Sequence, residues 1–220
     1  MRLITWNLFH GRSVPDTPRS LLEEFGSTLA AWEWDVALLQ EVPPWWPGPL
    51  ARACGAEGRA VLTSRNFGLA ARRWVADRRP DLIKSNGGGA NAILVRPEAG
   101  AIGKHATALI RWFPERRYVH AVELAGAGLW VGNVHASTNP RRARGDMGRA
   151  GGVLAGWARG GPVLLGGDAN VEDPRVEGFE DLGGGGIDRF LARGVAAAGT
   201  PEVLDPGVLS DHAPVRIAVS

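Results

Sequence analysis

The chain has 220 residues, of which 45% are hydrophobic and 22% charged, and its formal net charge is +2. This length allows a substantial core, and the composition excludes a disordered or collagen-like chain. The sequence contains no apolar stretch of membrane-spanning length, and its one cysteine, Cys54, excludes an intrachain disulfide. Because the first predicted strand begins at once, the chain is either cytosolic or has already lost a leader. With a single cysteine we expect a cytoplasmic protein, and the oligomeric state stays open.

Arginine dominates the basic residues. Lys84 and Lys104 are the only lysines among the 25 basic residues. The planar guanidinium suits phosphate, so the composition permits a polyanionic substrate. A coding bias toward Ala, Gly and Arg would also spread arginines along the whole chain. Composition alone therefore leaves the partner open.

The N-terminal part of the chain predicts two strands around a helix. Arg2–Leu8 is apolar with a β-branched centre, which is typical of a strand. Apolar residues recur at helical spacing over Pro18–Trp34, and Asp35–Val42 is a continuous apolar run typical of a strand buried on both faces. The proline-rich segment that follows permits only a short helix after Pro49.

The rest of the chain predicts mostly strands. Seven are expected, at 59–64, 89–96, 105–112, 117–124, 129–137, 162–170 and 212–220. A helix is predicted over Gly145–Arg159, and Gly183–Gly186 predicts a loop. Because neither an internal repeat nor a long polar linker divides the chain, we expect one mixed α/β domain with two sheets over residues 1–220.

Polar side chains follow the apolar runs. Carboxylate, carboxamide and imidazole groups occur where predicted strands end or begin, at Asn7, Glu41, His135, Asp168, Asn170, Asp211 and His212. Oxygen ligands of this kind suit a hard cation such as Mg²⁺ or Mn²⁺, whereas zinc would require more histidine or cysteine at a recognisable spacing. Each residue by itself could cap a turn or a helix, so the inference rests on the whole set.

Seven motifs occur in the order found in a known superfamily. They are "TWNL" at 5–8, "LLQEV" at 38–42, "ANAILVR" at 90–96, "GNVHAS" at 132–137, "LGGDAN" at 165–170, "IDRF" at 187–190 and "SDHAPV" at 210–215. On these motifs the sequence resembles the endonuclease/exonuclease/phosphatase superfamily. The resemblance implies a four-layer α/β/β/α sandwich of two mixed sheets flanked by helices, and metal-dependent hydrolysis of a phosphoester.

The resemblance also implies roles for individual residues. Glu41 would be the main metal ligand, helped by Asn7 and Asp211. Asp168 and Asn170 would orient the attacking water and contact the phosphate or a second metal. All five lie where predicted strands end or begin, so they could face one shared rim of the sheets.

Two histidines complete the implied catalytic set. His212 would be the general base or a phosphate-positioning group with Asp188 as its carboxylate partner, and His135 would neutralise or protonate the phosphate side. The reaction itself requires such groups, because an anionic phosphodiester repels hydroxide. A cation must draw charge from the phosphate and a base must take the proton of the water. A carboxylate on the far nitrogen of His212 would fix its tautomer.

The segment around His135 indicates a branch of the superfamily. The abasic-site repair branch has a Tyr-x-Pro-Asn type segment where this chain has "NVHAS". The chain is therefore more similar to the deoxyribonuclease and sphingomyelinase branches. In the deoxyribonuclease-like branch the first histidine has an acidic partner near the "NAILVR" segment. Asn86 or Asn91 could take that place here, and Asn91 is also a candidate substrate contact.

Arginines follow His135 in the loop "STNPRRARGD". Arg142 and Arg144, together with Arg141, could clamp a phosphate backbone. They could equally form a solvated segment that leads into the next helix, and this second interpretation is slightly preferred.

Several aromatic residues and histidines outside the motifs have simpler interpretations. Trp45 and Trp46 could stack on bases or enter a lipid interface, but packing against the edge of the sandwich is the preferred interpretation. His10, His105 and His120 are interpreted as ordinary structural or surface residues.

The combined features predict a divalent-metal-dependent phosphodiesterase, a small nuclease that cleaves DNA or RNA by in-line attack of water. The first alternative is a phosphatase or a sphingomyelinase/phospholipase-C-like enzyme that acts on a phospholipid or small phosphate ester. A lipid enzyme would be expected to expose an apolar hairpin. A catalytically silent binding module of the same fold is the last alternative, and the expected residue type at every matched position argues against it.

Overall fold

The structure is a computed structural model that describes residues 1–64, 66–79 and 89–220. The helices of this part are α1 (Leu22–Ala31), α2 (Pro47–Ala53), α3 (Leu69–Arg78) and α4 (Pro140–Ala158). The strands are β1 (Arg2–Asn7), β2 (Val36–Val42), β3 (Glu57–Leu62), β4 (Ala90–Val95), β5 (Ile102–Arg111), β6 (Arg117–Leu124), β7 (Leu129–His135), β8 (Val163–Asp168), β9 (Glu180–Gly185), β10 (Asp188–Arg193), β11 (Glu202–Val203) and β12 (Val215–Ala218). Asn86 lies outside the described residues.

The strands form two mixed sheets of six strands each. The first sheet has the order β11-β12-β1-β2-β4-β3 and the second has the order β5-β6-β7-β8-β10-β9. Within the described strands, β1 pairs with β2 and β7 pairs with β8 in parallel, while the other pairs are antiparallel. The sheets pack face to face with helices outside them, which confirms the predicted four-layer sandwich.

The alternation of side chains along β2 explains why its sequence is apolar throughout. Val36 and Leu38 join the cluster between the two sheets, whereas Ala37 and Leu39 join the cluster beneath α1 and α2. A third cluster lies between α4 and the second sheet. Because both faces of the central strands are covered, both faces are mainly apolar.

The chain around the second sheet differs from the prediction at two places. The helix predicted from Gly145 begins at Pro140, because the Asn139 side chain accepts a hydrogen bond from the Arg142 backbone at 3.1 Å and caps it. The glycine cluster predicted as a loop is largely strand β9. A Cβ on Gly184 would lie 2.0 Å from the carbonyl oxygen of Asp188 on β10, so glycine permits this close pairing.

Trp45 and Trp46 pack against the cluster beneath α1 and α2, in agreement with the interpretation preferred from the sequence. The ring of Trp46, which is 5% exposed, lies 5.6 Å from the ring of Phe25 on α1. Helix α3 was not predicted, and Ala76 within it is buried. No helix in the described ranges has the length and apolar character needed to cross a membrane.

Candidate active site

Strand pairing brings the polar residues together at one rim of the sandwich. In the first sheet Asn7 at the end of β1 lies opposite Gln40 of β2. In the second sheet His135 at the end of β7 lies opposite Asp168 at the end of β8. Antiparallel β10 begins with Asp188, which lies opposite Asp168. Residues that are far apart in sequence thus meet because two parallel pairs end at the same rim.

Asp168 joins the two sheets and is 1% exposed. Its Oδ2 accepts a hydrogen bond from Asn7 Nδ2 at 3.0 Å, and its Oδ1 accepts one from the Asn170 backbone N–H at 2.9 Å. The same Oδ2 lies 3.5 Å from Nε2 of His135 and 3.9 Å from Nε2 of His212. The carboxylate therefore faces both predicted catalytic histidines.

The two glycines before Asp168 let β8 approach its neighbours closely. A Cβ on Gly166 would lie 2.6 Å from the Leu38 side chain of the opposite sheet. Gly167 has a φ of 137°, and a Cβ there would lie 2.0 Å from the carbonyl oxygen of Val134 on β7. Larger residues would push Asp168 away from the rim.

His212 is held by a carboxylate on its far nitrogen. Its Nδ1 lies 2.9 Å from Oδ2 of Asp188. Its backbone N–H donates to Ser210 Oγ at 3.1 Å, and that hydroxyl donates to the Asn7 carbonyl at 2.7 Å. The Trp6 indole donates to the carbonyl of His212 at 3.0 Å. These bonds tie the C-terminal segment to β1 and fix the imidazole beside Asp168.

Glu41 approaches the same place from the first sheet. Its φ of 50° lies in the left-handed region, where β2 has an irregularity opposite β4. Its Oε1 lies 3.9 Å from Nε2 of His135 and its Oε2 lies 3.2 Å from Nε2 of His10. His10, interpreted from the sequence as an ordinary residue, therefore lies at the candidate site, because the turn at Phe9–Gly11 brings it back over Glu41.

The acidic side of the site changes the pKa values of its members. Burial lowers the pKa of His212, but the hydrogen bond and charge of Asp188, with the charges of Asp168 and Asp211, outweigh it and raise the pKa to about 9. Burial raises the pKa of Asp168 to about 6, and the Asp188 charge adds to the increase. Asp211 is exposed, and its charge adds to the raised pKa of His212.

His135 has the opposite behaviour. Burial lowers its pKa well below the usual range, and the charges of Arg117, His10 and His212 add to this effect. Neither Nδ2 nor Oδ1 of Asn91 has a hydrogen-bond partner among the described residues, so Asn91 does not take the place of the expected acidic partner. His135 therefore presents a neutral ring to the rim.

The donor groups of the rim fit a divalent cation. Asp168, Asp188 and His212 each offer one donor atom, and these atoms lie within 4.8 Å of one another. Oδ1 of Asp188 is buried and has no hydrogen-bond partner among the described residues. Burial raises the pKa of both aspartates, and a cation would offset the buried negative charge that causes this. Glu41 adds a further carboxylate beside this group.

A cleft of about 380 Å³ opens beside Glu41 and His135. Its lining includes Asn91 at the start of β4, which is 1% exposed, and Arg142 in the first turn of α4. Arg144 is exposed and does not belong to the described residues that line the cleft. The structure thus brings two of the three predicted substrate contacts to the site and leaves the third outside it.

Two buried networks that sequence reasoning missed support the rim. Gln40 Nε2 donates to Asn133 Oδ1 across the two sheets at 2.8 Å. Asp146 of α4 accepts hydrogen bonds from the Ser137 backbone at 3.0 Å and from the Ser137 hydroxyl at 2.6 Å, which fixes the segment after His135. The available signal was a lone polar residue inside an apolar run, as in "VALLQEV" and "LWVGNVH".

The family follows from comparison with known proteins. Residues 4–212 match the family model described as the Endonuclease/Exonuclease/phosphatase family. The chain belongs to this family. Its members are phosphoester hydrolases, so the chain is an enzyme of that class. No curated protein sequence matches the chain significantly.

Solved structures of similar fold come from diverse organisms. A functionally unknown conserved protein from Enterococcus faecalis V583 is 16% identical with a TM-score of 0.74, over 100% of this chain and 99% of the other. A mannosyl-6-phosphatase from Bacteroides thetaiotaomicron is 14% identical with a TM-score of 0.72, over 100% and 99%. A humanized D. rerio TDP2 is 15% identical with a TM-score of 0.68, over 100% and 98%. These structures support the fold.

Proposed function

We propose that this hydrolase is a divalent-metal-dependent phosphodiesterase that cleaves DNA or RNA. The observation that supports it best is the basic cleft beside Glu41 and His135. Arg116, Arg117 and Arg142 line this cleft. A guanidinium group can bind a phosphate through two parallel hydrogen bonds, and a nucleic acid presents several phosphates in a row.

The proposed cation is Mg²⁺ or Mn²⁺, held by Glu41 with Asn7 and Asp211 as the resemblance implies. Asp168, Asp188 and His212, whose donor atoms also lie close together, are assigned to the water and the phosphate instead. When bound, it would draw charge from a non-bridging phosphate oxygen. Oδ1 of Asn7 accepts one hydrogen bond from the Phe9 backbone at 3.0 Å, which leaves a second lone pair for a ligand. The oxygen-rich donor set suits these ions better than zinc.

The side chains of the rim would orient and deprotonate the water. Asp168 and Asn170 would hold it in line with the leaving oxygen, so that a bond forms to phosphorus while the bond to that oxygen breaks. Because the pKa of His212 is raised to about 9, its imidazolium would bind a phosphate oxygen at neutral pH, and only the ring deprotonated at higher pH would take the proton of the water. Asp188 stabilises the imidazolium form in either role. His135, with a neutral ring, would donate an N–H to the phosphate.

A second candidate is an enzyme that acts on a phospholipid or a small phosphate ester. The turn between β5 and β6 carries Trp112 and Phe113, which are 68% and 75% exposed. This is the exposed apolar hairpin expected of a lipid enzyme, at a different place from Trp45 and Trp46. The mannosyl-6-phosphatase of similar fold supports a small phosphate ester.

Parallel hydrolysis assays would separate these candidates. The substrates are a generic aryl phosphodiester, supercoiled plasmid, single-stranded RNA and sphingomyelin vesicles, each with Mg²⁺, Mn²⁺ or EDTA. We expect metal-dependent cleavage of plasmid or RNA that is lost in Asp168→Ala and retained in Asp181→Ala, a matched change on β9. Cleavage of the vesicles or the small ester alone would replace the nuclease proposal by the second candidate.

The silent binding module makes a different prediction. It requires that neither ion raises the melting temperature and that no substrate is turned over. We expect instead that Glu41→Ala and His212→Ala each abolish hydrolysis and still unfold cooperatively. Unchanged hydrolysis rates in both variants would contradict the site.

A further inference from the structure

The cleft extends from the catalytic rim along the β5–β6 turn. Pro114 and Arg116 of this turn line it, together with Arg117 at the start of β6 and Arg142 of α4. Glu115 also lines it and lies 2.9 Å from Arg117, so the carboxylate and one guanidinium offset each other. Arg116 and Arg142 remain as positive charges in this part of the cleft.

Neither of these two arginines uses its guanidinium in a hydrogen bond or ion pair with the described residues. The backbone N–H of Arg116 donates to Ser64 Oγ at 2.6 Å, and its guanidinium lies 5.2 Å from the centroid of the Trp112 ring. The backbone N–H of Arg142 donates to Asn139 at 3.1 Å. These backbone contacts hold both residues in place. Each guanidinium carries five N–H donors, so the two arginines bring ten donors to the cleft.

Asn91 is an independent observation that indicates a ligand. It lines the cleft and is 1% exposed, yet neither Nδ2 nor Oδ1 has a hydrogen-bond partner among the described residues. Buried amides are usually satisfied, because an unpaired one loses its bonds to water without replacement. A bound group that accepts a hydrogen bond from Nδ2 would supply the partner that the described chain does not.

We infer that Asn91, Arg116 and Arg142 form a subsite for a second phosphate group, next to the phosphate that is cleaved. The inference rests on the proposed phosphodiesterase function and narrows it. The substrate would be a nucleotide that carries a flanking phosphate, either inside a polynucleotide or at its terminus. An isolated diester would leave the subsite empty and react more slowly.

Chromogenic nucleotides that differ by one phosphate test this subsite directly. Thymidine 5′-(p-nitrophenyl phosphate) is compared with its 3′-phosphorylated form, and thymidine 3′-(p-nitrophenyl phosphate) with its 5′-phosphorylated form. We expect the added phosphate to raise kcat/KM by about tenfold in one of the two pairs, which is the size of one charge-assisted hydrogen bond. A methyl phosphodiester in place of the added monoester distinguishes an internal from a terminal phosphate.

The ratio of kcat/KM with and without the added phosphate is the readout in every variant, so a general loss of activity cancels. Arg116→Ala, Arg142→Ala and Asn91→Ala are each expected to lower this ratio toward one. Arg2→Ala is the matched control, because Arg2 is exposed and begins β1 at the end away from Asn7. Its ratio should equal that of the unmodified chain.

The outcomes separate the subsite from the proposed function. Hydrolysis of the four nucleotides with a ratio of one, or with a ratio that the three variants do not change, overturns the subsite and keeps the phosphodiesterase. Hydrolysis of sphingomyelin vesicles with no hydrolysis of any nucleotide overturns both. A raised ratio that falls in the variants supports both.

Discussion

Two histidines of this chain differ in the partner that each ring has. The His212 ring lies 2.9 Å from a carboxylate of Asp188, whereas Nδ1 of His120 lies 3.3 Å from Nε2 of His105. Burial lowers the pKa of both rings, but Asp188 and its acidic neighbours raise that of His212 to about 9. At His120, burial and the charge of His105 both lower the pKa, to about 3.

The comparison shows that the partner determines the charge of an imidazole. His120 is completely buried on β6, and its Nε2 has no hydrogen-bond partner within the described ranges. His212 is partly open to the rim, where a phosphate or water can reach it. A carboxylate stabilises the imidazolium form, whereas a second imidazole in an apolar region favours the neutral form. We therefore expect His212 to take part in the reaction and His120 to affect stability.

The largest expected effect is on activity, from removal of the carboxylate beside His212. Asp188→Asn should lower kcat on a phosphodiester by roughly 10³-fold or more, because the amide neither fixes the tautomer nor stabilises the imidazolium. The measurement is steady-state kinetics on plasmid or aryl diester with Mg²⁺. Asp181→Asn on β9 is the control and should be close to the unmodified rate. If the kcat of Asp188→Asn lay within about threefold of the unmodified value, the carboxylate partner would not distinguish His212 from His120.

The next effect is on stability in acid. The pKa of His120 is about 3 in the folded protein, below its unfolded value of about 6.5. Its contribution to the free energy of unfolding is therefore fully present above that unfolded value and is lost as the pH falls toward 3. This linkage predicts a loss of about 3 kcal/mol between pH 6.5 and pH 4 from His120 alone.

Urea unfolding of the unmodified chain and of His120→Gln, in EDTA, measures this contribution. The carboxylates titrate in both proteins, so the difference between their slopes of unfolding free energy against pH isolates His120. We expect a shallower slope in the variant. Parallel slopes would show that the ring is not kept neutral by burial.

The smallest expected effect comes from changing the partner of His120. His105→Glu would place a carboxylate where the second imidazole now lies, as Asp188 does for His212. The pKa of His120 should then rise by at least about one unit. A pH titration of the imidazole signals by NMR measures this change, and His105→Gln is the uncharged control. Equal pKa values in the two variants would show that burial alone determines the charge of His120.

The elements with a clear apolar period were predicted well. Residues Arg117–Leu124 form β6 with the predicted bounds, and β1 and β2 differ from the prediction only at their ends. Strand β9 was missed because its glycines normally indicate a loop, and only the close approach to β10 makes them suitable for a strand. The early start of α4 was missed because the cap at Asn139 precedes a proline-arginine segment without apolar period.

The sequence by itself determined the residue types of the candidate site. Glu41, Asp168 and His212 follow or precede apolar runs within motifs that are short and continuous, so local information was enough to find them. The carboxylate partner of His212 could also be predicted, because Asp188 lies within a motif of its own, "IDRF".

Only the tertiary structure decided which groups touch and which stay exposed. Asn7 meets Asp168 across 161 positions of sequence, and His10 meets Glu41 because a turn with left-handed backbone follows β1. Packing likewise buries the Asn91 amide without a hydrogen-bond partner among the described residues. Hydrogen bonds, burial and pKa shifts depend on side chains that different elements bring together, and no local pattern of residues contains that information.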